Sequence, residues 1–205
     1  MTSRWFPEGP ISVRPRSGWV FLFFTMLVTV PVGVAAFFPP RSTTAALATT
    51  ALVVTVIAYI YFVAPRVVVG EDAIRVENAW REHVVPWGAL VDVETRFNLT
   101  LVTAQGRIHA QGAPGPSGLT ARRRPPDEEI ATDRVGSQHP GAVHSRNQPT
   151  SLSLALASVI RGHWRDLVEA GALDPGEPVT TSPRVTHLAL TLGGLALVLL
   201  LWLVA

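Results

Sequence analysis

Three long runs of uncharged, mostly apolar residues divide the chain. Two of them, residues 18–38 and 43–64, are 21 and 22 residues long, and residues 185–205 form a third run of 21. A helix rises about 1.5 Å per residue, so each run is long enough to cross a hydrocarbon core of about 30 Å. The pattern therefore predicts a transmembrane hairpin at residues 18–64 and a third transmembrane helix at residues 185–205.

Between the hairpin and the third run, apolar residues recur with a period of two. Six short β-rich runs, at residues 67–69, 74–77, 83–85, 91–97, 99–103 and 107–110, are separated by turn-forming residues. This spacing is typical of an antiparallel meander. The alternation predicts four inward-facing residues, Ile74, Val76, Val91 and Val93. It predicts four residues on the solvated face, Arg75, Glu77, Asp92 and Glu94.

A covering element for this sheet is predicted at residues 150–173. Its apolar residues recur at spacings of three and four and form one stripe, Leu152, Leu156, Val159, Ile160, Trp164, Leu167 and Val168. We expect Trp87 and Trp164 to lie in the core and His163 at the polar edge of the helix. Residues 112–149 are rich in Gly, Pro, Ser, Gln and charge, which predicts a disordered insertion. The soluble domain then spans residues 65–173, between a tail at 1–17 and a linker at 174–184.

Composition removes several classes of function. All 17 cationic residues are Arg, and the chain contains neither Lys nor Cys. A Walker-type phosphate loop, a Schiff-base lysine, a thiol nucleophile and a Cys-ligated metal site are therefore excluded. The exclusive use of Arg together with abundant Ala, Gly, Pro and Val is typical of a high-GC actinobacterial genome.

The arginines also predict an orientation. Arg4, Arg14 and Arg16 precede the first span, whereas the hairpin between the first two spans carries only Arg41. Cytoplasmic segments are enriched in cationic residues, so the N-terminus is predicted inside. Two crossings return the chain to the cytoplasm, and we expect residues 66–184 to lie there.

One stretch resembles a known family. Residues 85–93, VPWGALVDV, form a strand that ends in Pro-Trp and is followed by a short turn and an apolar-acidic-apolar strand. This stretch resembles the bacterial PH-domain family, and residues 69–78 and 99–107 are similar to that family's flanking hairpins. The whole chain is similar to actinobacterial membrane proteins with a PH domain of the low-molecular-weight-antigen type.

The resemblance implies an α+β fold with membrane helices. The soluble part would be a PH-like bent antiparallel sheet of six or seven strands, capped by one C-terminal helix. Residues 118–122 could supply the seventh strand. The fold commonly implies a platform for peptides, proteins or self-association. A phosphoinositide site is not implied, because residues 66–111 carry five Arg against six acidic residues.

We predict no catalytic, cofactor-binding or metal-ligating residue. Asp92 and Glu94 are interpreted as residues on the solvent-exposed face of one strand. His139 and His144 lie in the insertion without a third metal ligand at suitable spacing. Trp80 and Arg81 occupy a hairpin tip, where an aromatic residue beside Arg can anchor a partner. Alternatively, Trp80 folds back onto the sheet or dips into the lipid headgroups.

The resulting hypothesis is a membrane-anchored, non-catalytic PH-like interaction or scaffold module on the cytoplasmic face of the plasma membrane. The alternative is an accessory subunit of a membrane transport, secretion or envelope-synthesis complex. Expected partners are the lipid bilayer and either a protein partner or a second copy of the chain. Neither nucleic acid nor a small-molecule substrate is expected.

Overall fold

A computed structural model describes residues 5–6, 9–38, 43–95, 97–115, 152–174 and 176–205. In chain order its elements are β1 (Ile11–Val13), α1 (Ser17–Ala35), α2 (Thr44–Ala58, continued by a π-helix at Tyr59–Val63), β2 (Arg66–Val69), β3 (Ala73–Glu77), β4 (Arg81–Pro86), β5 (Leu90–Glu94), β6 (Asn98–Thr103), β7 (Gly106–Pro114), α3 (Leu152–Glu169), β8 (Thr180–Pro183) and α4 (Val185–Val204). A 3-10 turn at Trp87–Ala89 joins β4 to β5.

Three of these helices, α1, α2 with its π-helical turn, and α4, are long and apolar enough to cross a membrane. They coincide with the predicted spans to within a few residues. Helix α2 packs against both α1 and α4. The hydroxyls of Thr29 and Thr55 lie 2.9 Å apart between α1 and α2, and a Cβ on Gly194 would lie 3.0 Å from Val53. Hydroxyl pairs and small residues are enriched where membrane helices pack closely.

The strands form two antiparallel sheets. One has five strands in the order β1-β2-β3-β4-β8, and the other has three in the order β5-β6-β7. All six strands expected from the alternation are present within the described residues. The outer strands β1 and β8 were not expected, because they come from segments assigned to the tail and the linker.

The three membrane-type helices all leave the five-stranded sheet at the same end. Strand β1 runs antiparallel to β2, so the carboxyl end of β1 lies beside the amino end of β2. The antiparallel pairings β2-β3-β4-β8 bring the carboxyl end of β8 to that same end. Helix α1 follows β1, α2 precedes β2 and α4 follows β8, in each case through no more than three residues.

The apolar core lies between the two sheets and helix α3. Val67, Ile74, Leu101 and Ile160 are fully buried in it. The expected burial of Trp87 agrees with its 4% exposure, and its indole Nε1 donates to the carbonyl oxygen of Gly70 at 3.2 Å. This α+β arrangement of antiparallel sheets capped by one helix agrees with the expected fold class.

Two residues of the predicted core differ from expectation. Val91 is 56% exposed, because a bulge shifts the β5-β6 register between Leu90 and Asp92 and turns Leu90 inward instead. Val168, near the carboxyl end of α3, is 49% exposed, whereas its neighbour Leu167 packs against the core. Trp164 is half-buried.

The N-terminal segment packs against the core of the sheets. Phe6 is 2% exposed within the core cluster, and the indole Nε1 of Trp5 donates to Asp166 Oδ2 on α3 at 2.6 Å. A Cβ on Gly162 would overlap the Trp5 ring, so the close contact requires glycine at that position. The segment therefore covers α3 before it enters the sheet as β1.

The predicted linker is also attached to the domain. A Cβ on Gly88 would overlap the carbonyl oxygen of Asp174, and the amide of Val179 donates to Gln105 Oε1 at 3.0 Å. Strand β7 continues to Pro114, so the first residues assigned to the insertion are ordered in the sheet. The insertion from residue 116 onward, including residues 118–122 that could supply a seventh strand, lies outside the described residues.

Candidate interaction site at the base of the sheet

The β3-β4 hairpin carries the two residues singled out from sequence, and it lies against the helices. The indole Nε1 of Trp80 donates to Thr191 Oγ1 on α4 at 3.2 Å. The Trp80 ring also lies 5.9 Å from the ring of Tyr61 in the π-helical turn. Trp80 is half-buried by these contacts, while Arg81 is exposed. The structure thus places Trp80 between the sheet and the bases of α2 and α4.

A carboxylate and two arginines lie beside this hairpin. Glu77 Oε1 lies 2.6 Å from Nη2 of Arg66, and Glu77 Oε2 lies 3.4 Å from Nη2 of Arg184. The hydrogen bond to Glu77 raises the pKa of Arg66 above its ordinary value, although partial burial acts in the opposite direction. The three side chains connect the first residue of β2, the last residue of β3 and the residue that precedes α4.

Glu77 was expected on the solvated face and is instead 7% exposed. The alternation is correct, because Glu77 faces away from the core residues Ile74 and Val76. It is buried because the residues at the helix bases cover this end of the outer face. A cross-strand signal was present in the sequence, since Arg66 and Glu77 are direct partners in the β2-β3 register.

Backbone groups of the hairpin turn are held by three side chains from outside the hairpin. His187 Nδ1 donates to the carbonyl oxygen of Ala79 at 2.6 Å. Arg184 donates to the carbonyl oxygen of Asn78 at 3.2 Å. From β7, Gln111 Oε1 accepts from the amide of Ala79 at 2.9 Å. The turn is therefore fixed to both α4 and the second sheet.

A second group of buried rings lies under α3. His163 is 6% exposed, contrary to its expected place at the polar edge of the helix. Its ring packs edge-on against Phe6 at 5.0 Å and against Trp87 at 4.7 Å. The sequence offered no signal for this burial, because the covering residue Phe6 comes from the tail.

Other candidate groups do not converge. Asp92 is exposed on β5, and Glu94 pairs with Arg107 at 3.2 Å. Among the described residues no group of three His, Asp or Glu side chains could hold a metal ion. His139 and His144 lie outside the described residues. What the base of the sheet provides chemically is a set of positive charges and hydrogen-bond donors next to apolar helices.

Comparison with known proteins adds one finding. Residues 64–124 match the family model described as bacterial PH domain, which covers β2 to β7 and less than a third of the chain. No curated protein and no solved structure matches the chain significantly. The match confirms the expected PH-like α+β fold class, and it supports a bacterial protein that contains a PH domain.

Proposed function

We propose that the chain is a membrane-anchored, non-catalytic interaction or scaffold module whose PH-like domain faces the cytoplasm. The PH-domain match indicates an interaction module, and the three apolar helices indicate association with a membrane. The finer assignments, a multi-pass plasma-membrane protein with a cytoplasmic domain, rest on the arrangement of the sheet and the arginines.

The observation that carries this proposal is the departure of all three helices from one end of one sheet. Strand β1 precedes α1 and pairs with β2, which follows α2. Such pairing requires the N-terminal segment and the domain to lie on the same side of a bilayer, as two crossings provide. Arg14, Arg16 and Arg184 adjoin the helices on that side, which favours the cytoplasm.

The short connections also fix how the domain is presented. The residue that joins β8 to α4 is Arg184, whose amide donates to the carbonyl oxygen of Trp80 at 2.9 Å and whose guanidinium contacts Glu77. A domain held in this way cannot swing freely on a linker. We propose that Trp80 and Arg81, which lie at the level of the helix bases, contact a partner that is itself at the membrane surface.

Single-cysteine labelling tests the topology. The chain contains no native cysteine, so a label can attach only to the introduced residue. We would introduce Ser12→Cys and Thr180→Cys in the exposed outer strands, and Phe38→Cys three residues beyond the end of α1, where the side chain is 67% exposed. A membrane-impermeant maleimide applied to intact cells should label only the Phe38→Cys variant. Labelling of the Ser12→Cys or Thr180→Cys variant without permeabilisation would reverse the proposed orientation.

One observation favours the alternative function, an accessory subunit of a membrane complex. Helix α4 has no buried residue, so most of its surface is open to lipid or to another membrane protein. Photocrosslinkers at Leu199 on α4 and at Arg81 at the hairpin tip distinguish the two functions. Protein crosslinks from Arg81 alone support the interaction module, whereas protein crosslinks from Leu199 alone support the accessory subunit.

A further inference from the structure

Positive charge is concentrated at the end of the sheet from which the helices leave. Five arginines lie at this end, and together we call them the arginine rim: Arg14, Arg16, Arg66, Arg81 and Arg184. Arg14 and Arg16 connect β1 to α1, Arg66 begins β2, Arg81 begins β4, and Arg184 precedes α4. Only two carboxylates, Glu77 and Glu82, share this end among the described residues. The rim therefore carries a net charge of three positive.

The rest of the described soluble domain has the opposite sign. Its four arginines are Arg75, Arg107, Arg161 and Arg165. Its eight acidic residues are Glu71, Asp72, Asp92, Glu94, Asp166, Glu169, Asp174 and Glu177. The net charge of these residues is therefore four negative. Among the described residues, positive charge is therefore concentrated at the rim, and an anionic surface attracts that end of the domain.

The rim arginines divide into two groups by their contacts. Arg66 and Arg184 share the carboxylate of Glu77. Arg14, Arg16 and Arg81 are exposed, and no carboxylate of the described residues pairs with them. The first group fixes the sheet to the helices, and the second presents three guanidinium groups to the surroundings.

The position of the rim determines what those surroundings are. Each rim residue except Arg81 lies within three residues of a membrane-type helix, and Arg81 pairs with Pro183 just before α4. If these helices span the bilayer, as the proposed function holds, the exposed guanidinium groups lie at the depth of the headgroups. There they meet phosphate oxygens, which arginine binds through paired, charge-assisted hydrogen bonds.

We infer that the arginine rim binds anionic phospholipid headgroups of the leaflet that it faces, through Arg14, Arg16 and Arg81. The sequence alone argued against a lipid site, because residues 66–111 contain fewer arginines than acidic residues. The pairing of β1 with β2 changes that balance, since it brings Arg14 and Arg16 from the tail to the base of the sheet. The inference rests on the proposed membrane anchoring and adds the class of lipid.

The test is the binding of phosphatidylglycerol and phosphatidylcholine with matched acyl chains to the detergent-solubilised full chain, measured by native mass spectrometry. The rim variant is Arg14→Gln/Arg16→Gln. The control variant is Arg75→Gln/Arg107→Gln, which removes the same charge from exposed positions away from the rim. Inorganic phosphate serves as a third probe, because it distinguishes a headgroup bound with its lipid from a free anion.

The parent should bind phosphatidylglycerol more tightly than phosphatidylcholine. The rim variant should weaken phosphatidylglycerol binding at least fivefold, since one arginine near an anionic surface contributes a factor of about five. The control variant should change it less than twofold. Equal loss in both variants, equal binding of the two lipids by the parent, or displacement of the lipid by millimolar phosphate would each overturn the inference.

Failure of the anchoring itself is distinguishable. Alkaline carbonate extraction of native membranes should leave the parent and both variants in the membrane fraction. Release of the parent by carbonate would overturn the proposed function. Retention combined with equal binding of the two lipids would overturn only the lipid assignment.

Discussion

The two sheets are assembled in different ways. The three-stranded sheet consists of consecutive hairpins between Leu90 and Pro114, so all its pairings are local. The five-stranded sheet takes its outer strands from residues 11–13 and 180–183, which flank the helical segments. Every strand pairing of the first sheet lies within one continuous stretch of sequence. The second also depends on the helices, and in return it determines where their ends lie.

Replacement of Phe6 tests whether the five-stranded sheet depends on the N-terminal segment, and it has the largest expected effect on stability. Phe6 precedes the outer strand β1 and is 2% exposed against His163. Truncation of a buried Phe to Ala costs about 3–5 kcal/mol of the free energy of unfolding. We expect Phe6→Ala to lower the thermal midpoint of the full chain in detergent by on the order of 10 °C, followed by near-ultraviolet circular dichroism.

Phe97→Ala is the matched control, because Phe97 lies between β5 and β6 of the local sheet and is 74% exposed. Its substitution should change the free energy of unfolding by less than about 0.5 kcal/mol. If both variants melted at the parental temperature, the N-terminal segment would contribute nothing to the domain. The difference between the two sheets would then rest on strand β8 alone.

Replacement of Glu77 sharpens the comparison at the junction with α4. Glu77→Gln removes the carboxylate that Arg66 and Arg184 share, and it leaves two arginines facing each other. Hydrogen bonds to charged groups contribute about 1.5–3 kcal/mol each, and partial exposure of both arginines reduces that value. We expect a loss of about 1–3 kcal/mol, together with faster amide hydrogen exchange at Arg184 than in β5 to β7.

The control for this variant is Glu82→Gln, which lies directly opposite Glu77 in the β3-β4 register and forms no ion pair among the described contacts. It removes the same charge without breaking the shared contact. Equal exchange rates at Arg184 in the two variants would show that Glu77 does not join the sheet to the helix.

The smallest expected effect concerns His83, at the β4-β8 pairing. Burial, and then the positive charge of Arg81, lower the pKa of His83 below its ordinary value of about 6.5. As the pH falls through 6.5, the unfolded chain binds a proton that the folded chain does not. The contribution of neutral His83 to the free energy of unfolding is therefore fully present above pH 6.5 and is lost progressively as the pH falls below 6.5.

His83→Gln should remove this contribution and flatten the dependence of the thermal midpoint on pH between about 7 and 5. The ring Nδ1 of His83 lies 2.9 Å from Thr181 Oγ1 on β8, so the effect reports on a recruited strand. Thr181→Val serves as a second variant, since it removes the hydrogen bond and retains the titrating group. An unchanged pH profile in His83→Gln would assign the acid sensitivity to other groups.

Sequence patterns found the local parts of the molecule and missed the long-range ones. The alternation located β2 to β7 because each of these strands pairs with a neighbour a few residues away. Strands β1 and β8 are only three and four residues long, and their partners lie more than 50 residues away along the chain. Such short segments have little intrinsic preference, so tertiary contacts determine their structure.

The candidate site shows the same division. Trp80 and Arg81 were identified from their position at a hairpin tip, and the structure places that tip beside α2 and α4. The arginine rim could not be found in this way, because its members come from four segments of the chain. Burial of His163 was missed for the same reason, since the covering residue Phe6 is distant in sequence. For Glu77 the adjacent strand offered Arg66 as a partner, but its second partner Arg184 is distant.

The pairing of β1 with β2 has a consequence for biosynthesis. Strand β1 leaves the ribosome first, but its partner is made only after α1 and α2, and β8 follows much later. Under the proposed topology, β1 and β2 meet only when the chain between them has crossed the membrane an even number of times. A chain in which α1 or α2 failed to insert would keep the two strands in different compartments and leave an edge of the sheet open. Completion of this sheet thereby discriminates chains in which α1 and α2 insert together from chains in which only one of them inserts, before α4 closes the assembly.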